Sequence, residues 1–385
     1  MNLFFKPLAI VSIVSLLSFS PSVNNTQTTV NNKPAPAKIQ VAILLDVSGS
    51  MQGLIEQAKE QLWNMVITLG KAQCTDKSAP QVELALYEYG RTNASGGKGY
   101  VKQLSPFTTD LDEVSKILFS LSTSGGDEYC GQVIYTSLDE LQWKKGSDDY
   151  KVIFIAGNED FLQGSLHYTK ACNKAKENGV IVNTIYCGSY ESGIAEHWNL
   201  LGECGNGSFI NINHNAAEPD IPTPYDTTLM VLNGKLNGTY VGYGDQAYAY
   251  SARQVQQDEA NFKLSTKAGL KRAEAKAKSN VYNNASWDLV DATTADSSYF
   301  YKVDRKTLPD SLKNKTPEQL KQLVQQKKTE RESIQKEIIT LNASRSKYIM
   351  DEKARTAQNK NEATLESAVE KTIKEQVRRY NMQID

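Results

Sequence analysis

The chain has very little histidine, three residues in all, and no Cys-x-x-Cys pair, no Gly-x-Ser-x-Gly and no excess of either charge. Each absence removes a class of function. Without closely spaced cysteines or a histidine cluster, a structural zinc site has no ligand set. Hydrolase chemistry lacks a nucleophile with a base, so a non-catalytic protein with no catalytic residue is expected. With 43 Lys+Arg against 44 Asp+Glu, no overall field draws the chain to nucleic acid or to an anionic membrane. Lys321, Lys327, Lys328 and Arg331 have no aromatics interleaved on which bases would stack, so no nucleic-acid partner is expected. His167, His197 and His214 read as surface or capping residues.

What is present is a globular composition, 40% hydrophobic with 19 Tyr in 385 residues, enough for a large core plus an appended module. Lys6 precedes an apolar run from Pro7 to Phe19, too short for a comfortable membrane span but the right length for a signal-peptide core. Ser18, Ser20 and Ser22 offer a cleavage region, and no cysteine follows to accept a lipid. Residues 1–22 are therefore expected to be a signal peptide, with no other membrane span. Residues 23–38, rich in Asn, Thr and Pro, are expected to form a disordered tether. The predicted location is outside the cytoplasm: periplasm, cell envelope or extracellular space. Five cysteines in an exported chain (Cys74, Cys130, Cys172, Cys187, Cys204) predict up to two disulfides and one free thiol, with the pairing left open.

Ile39 to Leu45 is a continuous apolar run closed by Asp46, the pattern of a central parallel strand buried on both faces. Leu54, Ala58, Leu62, Met65, Val66 and Leu69 then recur at helical spacing, and Val82–Tyr89 reads as a strand. The alternation continues through helices marked by Leu111–Leu121, Val133–Leu141 and Tyr168–Ala175, a strand at 151–155, a stop at Asn178-Gly179, a strand at 180–186, a helix around 195–201 and a strand at 208–212. Strands separated by helices predict an α/β fold with a doubly wound, mostly parallel, Rossmann-like sheet over residues 39–215. Residues 216–315 read as a linking region, irregular from Met230 to Ala249 and helical over 254–279. Thr316-Pro-Glu-Gln319 is a helix start with a capping box, and it opens long C-terminal helices over 316–385. In these, Leu365, Val369, Ile373 and Val377 are expected to fold back on the first helix as a coiled-coil hairpin, with Lys327 and Arg331 as polar breaks in its stripe.

The sharpest motif is Asp46-Val-Ser48-Gly-Ser50 at the carboxyl end of the first strand, where open α/β sheets form their ligand crevice. One carboxylate and two hydroxyls form an oxygen-only set suited to Mg²⁺ or Ca²⁺, and Gly49 permits the turn that aims both hydroxyls inward. The plainer alternative is that both serines cap the following helix.

This Asp-x-Ser-x-Ser pattern resembles the metal-ion-dependent adhesion site of von Willebrand factor A-type (VWA) domains, and the resemblance covers roughly 39 to 212. It implies a Thr from a second loop and an Asp from a third. The second loop here is Ser124-Gly-Gly-Asp127-Glu128, where Asp127 or Glu128 stands in for the hydroxyl; the alternative is that they are charges at a helix N-terminus. In the third loop Gly157 takes the place of the Asp, leaving Asn158, Glu159 or Asp160 to substitute through a shifted turn, or the site weakened. Phe154–Glu159, Val182–Gly188 and Trp287–Asp291 look like a bacterial branch of secreted VWA proteins. The resemblance implies cell adhesion or other protein–protein binding, with a partner's carboxylate completing the cation's coordination. The competing expectation is a metal-independent scaffold acting through the C-terminal helices.

Overall fold

The computed structural model describes residue 1 and residues 37–91, 100–213, 220–355 and 365–384. The expected signal segment beyond Met1, the expected tether up to residue 36, and His214 lie outside the described residues. The chain opens with β1 (Lys38–Asp46), which a single 3-10 turn, Gly49–Met51, joins to α1 (Gln52–Leu69). There follow β2 (Gln73–Cys74), β3 (Gln81–Tyr89), β4 (Lys102–Thr108), α2 (Leu111–Ser120), α3 (Cys130–Glu140) and β5 (Tyr150–Gly157). Then come α4 (Tyr168–Asn178), β6 (Ile181–Cys187), α5 (Tyr190–Ala195), α6 (Asn199–Cys204) and β7 (Phe209–Ile212).

The six-stranded sheet has the order β4-β3-β1-β5-β6-β7, parallel except at β4. Chain order runs outward from β1 in both directions, so β1 is the switch point and its carboxyl end opens into the crevice. Alternate residues of β1 serve two cores. Ile39, Val41 and Leu45 pack with α1, α2 and α14 (Leu365–Val377), whereas Ala42 and Leu44 pack with α3, α4 and α6. Burial on both faces explains the unbroken apolar run. The antiparallel edge strand β4, Lys-Gln-Leu-Ser-Pro-Phe-Thr, is not foreshadowed in the sequence; Pro106 and exposed polar residues suit an edge, where one side needs no ladder.

Beyond the sheet the structure departs from the sequence reading. Where residues 230–249 read as irregular, α7 (Asp226–Asn237) buries Leu229, Leu232 and Leu236 as one face, a spacing obscured by the intervening Asn233 and Gly234. The helix expected over 254–279 is two, α8 (Ala247–Leu264) and α9 (Thr266–Lys276), broken at Ser265, whose extended backbone lets its hydroxyl accept from Ala268 N at 3.0 Å. Three short helices, α10 (Leu289–Ala295), α11 (Tyr299–Lys302) and α12 (Asp310–Lys313), lead to the 39-residue α13 (Pro317–Arg355). Its start is the capping box: Thr316 N donates to Gln319 Oε1 at 2.9 Å and Gln319 N to Thr316 Oγ1 at 3.2 Å.

The expected hairpin does not form. The apolar face of α14 turns to α1 and the sheet, placing Leu365, Val369, Ile373 and Val377 in the core of the first domain. The side chain of Gln376 fixes its register: it accepts from Tyr150 OH at 2.9 Å and exchanges hydrogen bonds with the Asn183 amide at 2.7 and 3.1 Å, all buried. A closing strand, β8 (Met382–Gln383), pairs antiparallel with β2. Arg331, which reads as a polar break, is buried. Its guanidinium donates to Asp288 at 2.8 Å, Asp291 at 2.7 Å and the Thr239 carbonyl at 3.0 Å, and lies over the Tyr240 ring.

A second buried network joins α9 to α2. Arg272 donates to Asp112 at 2.7 Å and to Asp258 at 2.6 Å beneath the Trp63 ring, and Lys276 adds a bond to Asp258 at 2.8 Å. Burial alone would raise the Asp258 carboxyl, but Lys276 and Arg272 outweigh it and hold it well below the ordinary value. One disulfide forms, Cys172–Cys204, tying α4 to α6; Cys74, Cys130 and Cys187 are free, so a single bridge replaces the expected maximum of two.

Two outcomes follow from the network. Arg272→Ala leaves Asp112 and Asp258 short of a cation in the interior and is expected to cost about 3–5 kcal/mol, read by urea unfolding. A depressed carboxyl stabilises fully above its unfolded pKa, about 3.9 for Asp, and loses that stabilisation as pH falls below it. The melting temperature of the wild type should therefore drop between about pH 4 and pH 2 more steeply than that of Asp258→Asn.

Candidate functional site

Asp46 is the last residue of β1, opposite Tyr89 on β3, and the chain is held there by Val47 N donating to Tyr89 O at 3.0 Å. Its Oδ1 accepts from Ser48 N at 2.7 Å, which leaves Oδ2 pointing away from the backbone. Ser124 N donates to Val47 O at 2.8 Å, so the second loop is stitched to the first. Arg91 braces the same loop from the end of β3, pairing with Glu88 at 3.1 Å and donating to Ser122 O at 2.7 Å.

Five of the residues singled out in the sequence come together here: Asp46, Ser48, Ser50, Glu128 and Asn158. Ser48 Oγ lies 3.4 Å from Ser50 Oγ, and Ser50 Oγ lies 3.3 Å from Asn158 Oδ1. Neither serine caps a helix with its side chain, which removes the plainer reading of both. The second loop resolves between its two acids: Glu128 is buried beside Asp46, whereas Asp127 is exposed next to the Tyr100 hydroxyl, whose pKa it raises. Asp160 is not in the cluster; its Oδ1 accepts from Leu162 N at 2.9 Å and meets His197 Nδ1 at 3.0 Å. Glu159 is exposed, and its charge bears on both Asp46 and Glu128.

Asp46 is 0% and Glu128 2% exposed, and Asp46 Oδ2 and Glu128 Oε2 are buried with no hydrogen-bond partner among the described residues. Burial pushes both carboxyls above their ordinary values, Glu128 to about 9, with each raised further by neighbouring negative charge. With one protonated the two share a hydrogen bond. With both ionised, two charges lie bare in a low-dielectric pocket, which a hard cation would neutralise. The donor set therefore fits a Mg²⁺- or Ca²⁺-like ion: two carboxylates, two hydroxyls and an amide oxygen. Among the described residues no group of three or more His, Cys, Asp or Glu side chains is placed to hold a metal, so hydroxyl and amide oxygens are integral to any such site.

The glycines around the cluster explain the departures in the loops. Gly90, at φ 82°, has an ideal Cβ position only 2.8 Å from Asp46 Oδ1 and 3.1 Å from the Glu128 side chain, so a side chain there would displace both acids. At Gly157 a Cβ would stand 2.5 Å from Tyr89 OH and 3.1 Å from both Asp46 Oδ2 and the Trp198 ring. The third-loop position has no room for an Asp because Tyr89, which donates to Ala156 O at 2.9 Å, and Trp198 fill it. Sequence reasoning missed Tyr89 and Trp198, whose role appears only when β3 and the segment after α5 are brought together.

Cys130 is buried against Tyr89 OH, and burial drives its thiol well above the ordinary value, assisted by Asp46 and Glu128. Cys187 is raised by burial too, so neither is a ready thiolate. His167 caps α4, accepting from Thr169 N. Gly157→Ala is expected to destabilise the chain by about 1–3 kcal/mol through overpacking, and Gly157→Asp by more, both measured by thermal unfolding.

The sequence model of the von Willebrand factor type A domain matches residues 40–217. No curated protein matches the chain. Among solved structures, an aerotolerance-related membrane protein from Bacteroides fragilis is similar at 16% identity and TM-score 0.32, over 46% of this chain and 93% of its own. The SpRpn10 VWA domain is similar at 13% identity and TM-score 0.33, over 46% of this chain and 88% of its own. Proximal thread matrix protein 1 from the mussel byssus, with a zinc-occupied MIDAS motif, is similar at 11% identity and TM-score 0.32, over 46% of this chain and 42% of its own. With β1 central, one antiparallel edge and helices on both faces, residues 40–217 have the architecture of the von Willebrand factor type A domain whose model they match, and a helical region follows them.

Proposed function

We propose that this chain is an exported, non-catalytic module that binds another protein through a divalent cation held by Asp46, Ser48 and Ser50, with Glu128 and Asn158 as further ligands. Type A domains are in general interaction modules rather than enzymes. The observation that carries the reading is the pair of buried, unpartnered carboxylate oxygens, Asp46 Oδ2 and Glu128 Oε2, at the switch point of the sheet. Bare facing carboxylates raise the cost of folding unless something positive answers them, and among the described residues no Lys or Arg bonds to either oxygen. A cation there keeps one position for a visitor, and a carboxylate from the partner protein completes it.

Export is supported by the apolar run at Pro7–Phe19 and by the Cys172–Cys204 disulfide, which suits an oxidising compartment, the periplasm, cell envelope or extracellular space. Among the described residues no helix is long and apolar enough to cross a membrane. The scaffold alternative draws little support from the packing, because most apolar side chains of α13 and α14 are covered by their own chain, with Ile339 and Met350 exposed.

Asp46→Asn keeps an acceptor for Ser48 N but removes the charge. Calorimetric titration of the full chain with Mg²⁺ and Ca²⁺ should show saturable binding that this variant loses, with an unchanged circular dichroism spectrum. A wild-type chain that binds neither ion defeats the reading. Capture of a partner from envelope extract should be abolished by a chelator and by the same substitution.

A further inference from the structure

We infer that Glu128 makes this a calcium-selective site, the second charged ligand having moved from the third loop to the second. The inference rests on the cation site proposed above and concerns which ion it takes. Two observations carry it. The first is that Glu128 is 2% exposed with Oε2 unpartnered among the described residues and facing Asp46, itself 0% exposed with Oδ2 likewise unpartnered, so two carboxyl groups converge on one point from inside the chain and supply two full charges once a cation displaces their shared proton. Gly157, crowded by Tyr89 and Trp198, leaves no room for a carboxylate on the third loop, so Glu128 is the residue that brings the second charge into contact.

The second observation is the number of oxygens, Ser48 Oγ and Ser50 Oγ lying 3.4 Å apart and Asn158 Oδ1 lying 3.3 Å from Ser50 Oγ in the same cluster. Asp46 Oδ2, the two Glu128 oxygens, two hydroxyls and one amide oxygen give up to six protein ligands. Mg²⁺ dehydrates reluctantly and keeps several waters, whereas Ca²⁺ accepts a cage of protein oxygens and a bidentate carboxylate.

The test is calorimetric titration of the full chain with CaCl₂ and with MgCl₂ at equal ionic strength, repeated on Glu128→Gln and Glu128→Thr. Glutamine preserves the size of the buried side chain, and threonine supplies the hydroxyl in its place. The expected result is Ca²⁺ binding at least about tenfold tighter than Mg²⁺ in the wild type, with Ca²⁺ affinity falling about tenfold or more in Glu128→Gln. Glu128→Thr should narrow or reverse the Ca²⁺ preference. Circular dichroism and the melting temperature without added ion verify that each variant is folded; if one is not, the wild-type ratio decides. Mg²⁺ binding as tightly as Ca²⁺ overturns the selectivity while leaving a cation site in place, as does a folded Glu128→Gln that binds Ca²⁺ like the wild type. Binding of neither ion by the wild type removes the site altogether.

Discussion

The structure turns on two carboxylates buried face to face, with no cation of the described residues bonded to either facing oxygen. Asp46 is placed by the central strand β1, and Glu128 by a loop that hydrogen bonds to the residue after Asp46 and is braced by Arg91. A natural interior does not keep such a pair without return, since an unanswered buried charge costs several kcal/mol. Elsewhere the same chain sets cations against buried acids: Asp112 and Asp258 meet Arg272 and Lys276, and Asp288 and Asp291 share Arg331. The proposed cation site rests on that contrast.

Those answered networks have their own logic. Arg272 reaches from α9 to Asp112 on α2, and Arg331 reaches from α13 to the segment before α10. Each joins elements far apart in sequence, and each lies over an aromatic ring, Trp63 or Tyr240, that shields it from water. Burying such pairs stabilises little in net terms, but breaking one is expensive, so they fix where the helices after the sheet sit.

How far the sequence discloses this depends on whether the determining contacts are local. β1 announces itself because both faces are buried and its run is unbroken; the start of α13 does so because a capping box is confined to four residues. α7 and β4 are hidden, the first by Asn and Gly among its leucines, the second because an edge strand tolerates polar residues and Pro106. In the site, Asp46, Ser48 and Ser50 are legible as one motif on one turn. The choice between Asp127 and Glu128 is not, since it depends on which side of a loop faces Asp46. Nor is the reason for Gly157, which lies in Tyr89 and Trp198, 68 and 41 residues away in the sequence numbering.

The position of α14 changes how the parts of this chain should be divided. A helix from the far end of the sequence supplies Leu365, Val369, Ile373 and Val377 to the same core as α1, and Gln376 completes a buried amide pair with Asn183 on β6. Such a helix is a layer of the sheet domain, not an appendage that merely follows it. Removing it would expose the α1 face of the sheet and leave Asn183 and Tyr150 without their buried partner, a change felt through β6 and through β5, at whose carboxyl end the third loop begins. Loss of binding on C-terminal truncation would therefore report a damaged domain, and substitutions confined to the cluster around Asp46 are the means of separating the site from the scaffold that holds it.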